Sequence, residues 1–189
     1  MDTLELNYLL HRILSNVENI NVIPCDGLSN MTHNNFAYIV NSDPSSKPGT
    51  HWLALYQNPK DKSIEFFDSF GMSFEYYGVN FTEFIMNCNR NVKISNRHIQ
   101  SLHGTTCGEY CVYFLAKRTK GYSFQSIIDE FDKYNLKGND SFVKQFIDDI
   151  IVVDDKLVRN AHKNTLSTSV QSSRFCEILF KAISMENKF

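Results

Sequence analysis

Apolar residues near the start of the chain fall at steps of three and four: Leu4, Leu6, Leu9, Leu10, Ile13, Leu14 and Val17. That spacing predicts an amphipathic helix from residue 3 to about 17. The pattern then breaks around Pro24 and Gly27, so an irregular stretch is expected over about 22–34. Three apolar runs read as strands: Phe36-Ala-Tyr-Ile-Val-Asn41, His51-Trp-Leu-Ala-Leu-Tyr56 and Ser63-Ile-Glu-Phe-Phe-Asp68. Asp43-Pro-Ser-Ser-Lys-Pro-Gly49 is a turn-rich loop, and Asn58-Pro-Lys-Asp-Lys62 is a turn signal that makes 51–68 a hairpin. A helix is expected over 81–89 and a further strand near 92–98. The second half is helical by pattern, over about 107–119, 123–134, 141–153 and 170–186. Strands in the middle with helices at both ends make the class α+β.

Composition narrows this only a little. With 189 residues, 42 % apolar and 13 % aromatic, the chain is expected to form one globular domain over 1–189. No apolar run approaches the roughly 20 residues that cross a bilayer. The opening MDTLELNYLLHRILSNV lacks a signal-peptide core. The expectation is a monomer in the cytosol or nucleus, neither membrane-bound nor secreted. A net charge of −2 argues against an obligate nucleic-acid binder. The densest basic group, Lys117, Arg118 and Lys120, reads as a solvated helix end. Five cysteines at irregular spacing, Cys25, Cys88, Cys107, Cys111 and Cys176, suggest neither a disulfide framework nor a paired zinc site.

Candidate chemistry starts at Gln100-Ser-Leu-His-Gly-Thr-Thr-Cys-Gly-Glu-Tyr-Cys111, where a polar loop runs into an apolar helix with Cys107 at the join. Threonine can cap such a helix. A thiol in the first turn meets unpaired N–H groups and a dipole that favour the thiolate. The Cys107 N–H is a ready oxyanion donor, and Gly108 lets a substrate carbonyl approach the backbone. His51 opens one hairpin strand and Asp68 closes the other, so the free ends of the hairpin make them neighbours. Asp68 could then fix the tautomer of His51, and His51 could serve as base to a thiol. Gln100, seven residues before Cys107, supplies a neutral amide for a second oxyanion bond. His98 and His103 are weaker candidates for the base, because neither has a paired acid in an ordered element. A metal site built from His103, Cys107 and Cys111 lacks a fourth ligand. Cys111, one turn after Cys107, reads as core.

Taken together, His51-Trp52, Asn58-Pro59, Phe66-Phe67-Asp68-Ser69-Phe70-Gly71, Gln100 and Cys107-Gly108 resemble the adenovirus-type cysteine endopeptidases, the adenain family, which share a clan with the SUMO-specific proteases. The likeness covers roughly residues 22–120 and keeps the order His, acid, Gln, Cys. It implies a papain-like core, circularly rearranged, with a central mixed sheet packed between helices. It also implies a cysteine endopeptidase: Cys107 as nucleophile, His51 as base, Asp68 orienting His51, and Gln100 with the Cys107 N–H as oxyanion donors. Trp52 and Gly108 would line a narrow substrate cleft. The substrates implied are capsid or core precursors cut at glycine-containing sites, in the virion or in the host nucleus or cytoplasm. No metal or other cofactor is required. Members can be activated by a peptide or by DNA. Here the acidic balance speaks against DNA, and the surroundings of Cys88 do not match the peptide-binding cysteine. The acid is Asp68, as in SUMO proteases, where adenovirus enzymes use Glu, so ubiquitin-like conjugates are an alternative substrate class. A non-catalytic binding module on the same fold is the remaining alternative.

Overall fold

A computed structural model describes residues 1–14 and 17–163, with side chains through residue 153. By its internal packing the chain falls into two units, Met1–Val143 and Lys144–Phe189. Every residue of the candidate site lies in the first. Helix α1 (Thr3–Ile13) starts at a capping box. Asp2 accepts from the N–H groups of Leu4 and Glu5 at 2.8 and 2.9 Å, and Glu5 accepts from the Asp2 N–H at 2.8 Å. The helix buries Leu6, Leu9, Leu10 and Ile13 and stops short of the expected residue 17, with 15–16 outside the described residues. Leu4, part of the apolar stripe in the sequence, points outward.

Five strands form one mixed sheet in the order β1-β2-β3-β4-β5: Asn19–Pro24, Phe36–Asn41, Trp52–Gln57, Ile64–Phe67 and Val92–Ile94. The two outer pairings are parallel and the two inner ones antiparallel. β1 corrects the sequence reading, which had 22–34 as irregular. Asn-Ile-Asn-Val-Ile-Pro has a weak alternation, and its pairing comes from β2, a partner distant in sequence. Pro24 costs the ladder little because it ends an edge strand. A short 3-10 turn, Cys25–Asn30, then leads away.

The central strands are buried on both faces, which is why they read as continuous apolar runs. One face carries Phe36, Tyr38, Val40, Leu53, Leu55, Ile64 and Phe66, which pack with Phe81, Phe84 and Ile85 of α2 (Val79–Asn87). The other face meets α3 (Cys107–Thr119), where Phe67 stacks on Phe114 at 4.5 Å between ring centres. The sheet is therefore packed between helices, as expected. α4 (Phe124–Asp129) is shorter than its pattern, and α5 (Leu136–Lys163) starts earlier and runs longer than expected. The helix expected over 170–186 lies outside the described residues.

The reading of Lys117 and Arg118 as a solvated helix end is wrong, because both are buried. Arg118 grips Glu65 of β4 with two bonds, Nε to Oε2 at 2.5 Å and Nη2 to Oε1 at 2.8 Å, and also donates to the Tyr122 carbonyl. Its guanidinium stacks over the Tyr56 ring. Lys117 pairs with Glu130 at 3.2 Å. A carboxylate on a strand covered by α3 must be met from α3, and Arg118 reaches it.

Candidate active site

The site is built at the open mouth of the β3–β4 hairpin. Register pairs Ala54 with Phe67, so one further step sets Asp68 opposite Leu53. Alternation puts His51 on the same side of the ribbon as Leu53, and His51 and Asp68 become diagonal neighbours. His51 Nε2 lies 2.7 Å from Asp68 Oδ1, with both residues buried. This is the contact expected from the hairpin.

Asp68 is fully buried and surrounded by donors. Oδ1 also accepts from the Phe70 N–H at 3.0 Å, and Oδ2 accepts from the Met72 N–H at 2.9 Å and the Tyr77 hydroxyl at 2.8 Å. Burial by itself would raise the carboxyl pKa. The bond to His51, the charge of His51, and the donors Phe70 N–H and Tyr77 outweigh it and hold the group below its ordinary value. Asp68 is thus a carboxylate that can only accept, so the shared proton sits on His51 Nε2 and leaves Nδ1 for other chemistry. Burial acts to lower the His51 pKa as well. Hydrogen bonds and charge from Asp68 and Cys107 reverse it, and the ring is raised to about 9. Burial and Asp68 push the Tyr77 hydroxyl far up, so it stays a donor.

The loop that delivers these donors turns at Gly71, whose φ is +73°. A Cβ there would stand 2.7 Å from the Arg97 carbonyl carbon. The rings of Phe70 and Tyr77 stack on the His51 ring at 4.8 and 5.9 Å. Sequence reasoning missed both as site residues. Phe70 appeared only within a motif, and Tyr76-Tyr77 carries no spacing signal that separates a carboxylate clamp from ordinary core.

Cys107 is the first residue of α3 and is buried. At that position its N–H has no acceptor within the helix. Cys107 is among the groups that raise the pKa of His51, which puts its side chain beside the ring that Asp68 holds from the other side. The helix is not capped as expected: Thr106 holds the cap position, but its side chain makes no capping bond and its buried hydroxyl has no partner. Gly108 has a packing reason of its own. A Cβ there would meet Leu6 Cδ2 and Met1 Cβ at 3.2 Å and Trp52 Cδ1 at 3.5 Å. Trp52, Gly108 and the start of α1 therefore converge beside Cys107.

Gln100 is fully buried, and both ends of its amide are held. Nε2 donates to the Gly104 carbonyl at 2.8 Å, and Oε1 accepts from the Ser69 hydroxyl at 2.6 Å. The loop around it is pinned from the start of α5. Asp140 accepts from the Ser101 N–H at 3.3 Å and from the Tyr110 hydroxyl at 3.0 Å, and Asn139 donates to the Ile99 carbonyl at 2.9 Å.

The other candidates fall elsewhere. His98 packs edge-on against Phe70, and its buried Nε2 has no hydrogen-bond partner. His103 is exposed while Cys111 is buried in the core. Burial raises the Cys111 thiol well above its ordinary value and lifts Cys88 to about 11. Among the described residues, no group of three or more His, Cys, Asp and Glu is placed to hold a metal ion. No described helix is long and apolar enough to cross a membrane.

A thiol at a helix start, an imidazole beside it and a buried carboxylate behind the imidazole form the constellation of nucleophilic acyl transfer on an α+β fold. Residues 25–131 match the adenovirus endoprotease family, more than half of the chain, and the protein belongs to that family. It is 34 % identical over 91 residues to the protease of porcine adenovirus A serotype 3, covering 41 % of this chain and 44 % of that protein. It is 26 % identical over 133 residues to the protease of bovine adenovirus 7, covering 57 % of this chain and 65 % of that protein. The chain thus spans less than two thirds of the length of each of these relatives. The crystal structure of the ASFV pS273R protease has 22 % identity and a TM-score of 0.42, over 57 % of this chain and 42 % of that one.

Proposed function

We propose that this chain is a viral cysteine endopeptidase. The observation that carries the reading is the buried His51–Asp68 contact at 2.7 Å, on a ring whose pKa the nearby Cys107 helps to raise. Cys107 gives up its proton to His51 Nδ1 and attacks the scissile carbonyl. The imidazolium, charge-balanced by Asp68, then protonates the leaving amine. The oxyanion that forms on attack meets the Cys107 N–H and the second N–H of Gln100. Water, deprotonated by the same imidazole, hydrolyses the acyl-enzyme and frees the thiol. Membership in the adenovirus endoprotease family supports peptide-bond hydrolysis as the reaction; capsid or core precursors as substrates and glycine-containing sites as targets extend the proposal along the sequence resemblance. The aspartate at position 68 keeps ubiquitin-like conjugates in view as a second substrate class.

The test is a digest of glycine-containing peptides by the purified chain, with products read by mass spectrometry. The expected result is cleavage that Cys107→Ala abolishes while the melting temperature is kept. A Cys107→Ala protein of undiminished activity ends the assignment. Parallel incubation with SUMO and ubiquitin conjugates separates the two substrate classes.

A further inference from the structure

Asp68 and Ser69 are consecutive residues where β4 ends, and their side chains serve opposite arms of the site. Asp68 reaches His51, while Ser69 reaches Gln100. Ser69 is 1 % exposed. It holds Gln100 at two points and its neighbour Ile99 at a third: its hydroxyl donates to Gln100 Oε1 at 2.6 Å, and its carbonyl accepts from the N–H groups of Gln100 at 3.2 Å and Ile99 at 2.9 Å. A buried glutamine amide has two faces of similar shape, and its orientation is set by its partners. The Gly104 carbonyl can only accept, so the nitrogen belongs at that end. The Ser69 hydroxyl supplies the matching donor at the oxygen end. If the amide flipped, Oε1 would face the Gly104 oxygen with no proton between them. One Nε2 hydrogen is committed to Gly104, and the orientation so fixed leaves the other for an external acceptor.

We infer that Ser69 is a positioning residue: its hydroxyl locks the Gln100 amide with nitrogen toward the reacting carbonyl and so pre-forms the side-chain half of the oxyanion site. This rests on the oxyanion role proposed above for Gln100. It adds that the acid arm and the oxyanion arm are tied through adjacent residues of one strand end, so a shift of β4 would disturb both. In the reaction Ser69 gains and loses no proton. It acts before the chemistry, by removing the cost of orienting a dipole as negative charge develops.

The test compares Ser69→Ala, Gln100→Ala and the double variant by kcat and KM on a glycine-containing peptide. It also follows the side-chain amide NMR signals of Gln100 in Cys107→Ala protein, assigned by their loss in Gln100→Ala. Removal of one oxyanion donor costs about 10²–10³ in kcat. Ser69→Ala is therefore expected to lower kcat at least about tenfold with KM unchanged. It should add nothing on a Gln100→Ala background, and it should broaden or shift the Gln100 amide pair. Ser69→Thr, which keeps the hydroxyl, should restore the signals and most of kcat. Ser69→Cys, isosteric with a weaker donor, serves if the alanine variant does not fold. Unchanged amide signals, or a loss in Ser69→Ala that multiplies fully with Gln100→Ala, overturn the role of Ser69. If Gln100→Ala itself leaves kcat unchanged, the oxyanion reading fails instead, and the NMR comparison still decides whether Ser69 holds the amide.

Discussion

Replacing Asp68 by asparagine keeps the shape of the side chain and removes its charge and one acceptor. Four donors converge on the carboxylate: His51 Nε2, the N–H groups of Phe70 and Met72, and the Tyr77 hydroxyl. Whichever way the amide turns, its NH₂ faces a backbone N–H that cannot become an acceptor. An unmet buried donor costs about 1–3 kcal/mol, and that part does not depend on pH. The larger part does. The rise of His51 from 6.5 to about 9 corresponds, at about 1.4 kcal/mol per pH unit, to about 3 kcal/mol of preference for the protonated ring. Because the folded-state pKa is the higher one, this stability is fully present below about pH 6.5 and is lost as pH rises through about 9. Asp68 has a depressed pKa, so its own contribution is present above 3.8 and is lost only at lower pH. From pH 6 upward the His51 side therefore governs the trend. Urea unfolding followed by the single tryptophan, Trp52, gives the comparison at pH 6, 7.5 and 10. A Cys107→Ala background for both proteins prevents self-digestion and removes the thiol's share, so about 3 kcal/mol is a ceiling. The stability gap between the aspartate protein and its Asp68→Asn variant is expected to be widest at pH 6 and to narrow toward pH 10. A gap that stays constant or widens refutes the ion-pair account. With Cys107 intact, the amide also favours the wrong tautomer of His51, and kcat should fall on the order of 10⁴, the scale seen when a triad acid becomes an amide.

Limiting iodoacetamide at pH 6–7 should label Cys107 before Cys88 and Cys111, since burial raises the thiol pKa of Cys88 to about 11 and that of Cys111 well above its ordinary value; peptide mapping that finds Cys88 or Cys111 labelled first contradicts this. Tyr77→Phe keeps the ring on His51 but takes one donor from Asp68, so it should cost about 1.5–3 kcal/mol at pH 6, where the carboxylate is charged, and less once the pH falls through the depressed pKa of the folded carboxyl, below 3.8. An equal loss in unfolding free energy at pH 6 when Tyr77→Phe is made on an Asp68→Asn background would show that the hydroxyl does not act on the carboxylate. Gly71→Ala puts a side chain at φ +73° and 2.7 Å from unyielding backbone, so about 1–3 kcal/mol of stability should go, together with activity. An unchanged melting temperature would mean the loop relaxes freely.

Much of the site could be read from local pattern. The hairpin signal at Asn58-Pro59 brings the ends of 51–68 together, and the period of two places His51 and Asp68 on one side. The switch from a polar loop to helical spacing at Cys107 marks a helix start, and the helix begins there. Such features repeat within one element or one turn, so neighbouring residues alone determine them. The sequence could not choose partners across long stretches of chain. β1 exists because β2 lies beside it in parallel, a pairing that no local alternation encodes. Arg118 is buried because Glu65, 53 residues before it, needs a counter-charge under α3, and Lys117 is buried against Glu130. Tyr77 clamps Asp68, and Ser69 holds Gln100 from 31 residues away, because the loop at Gly71 and the segment at 97–100 fold onto the same strand end. Periodicity carries the kind of each element and the chemistry it can offer. Which group satisfies a buried charge or turns a buried amide is decided only when the sheet and its two helix layers close around it, since the cost of leaving such a group unpaired arises only once water is excluded.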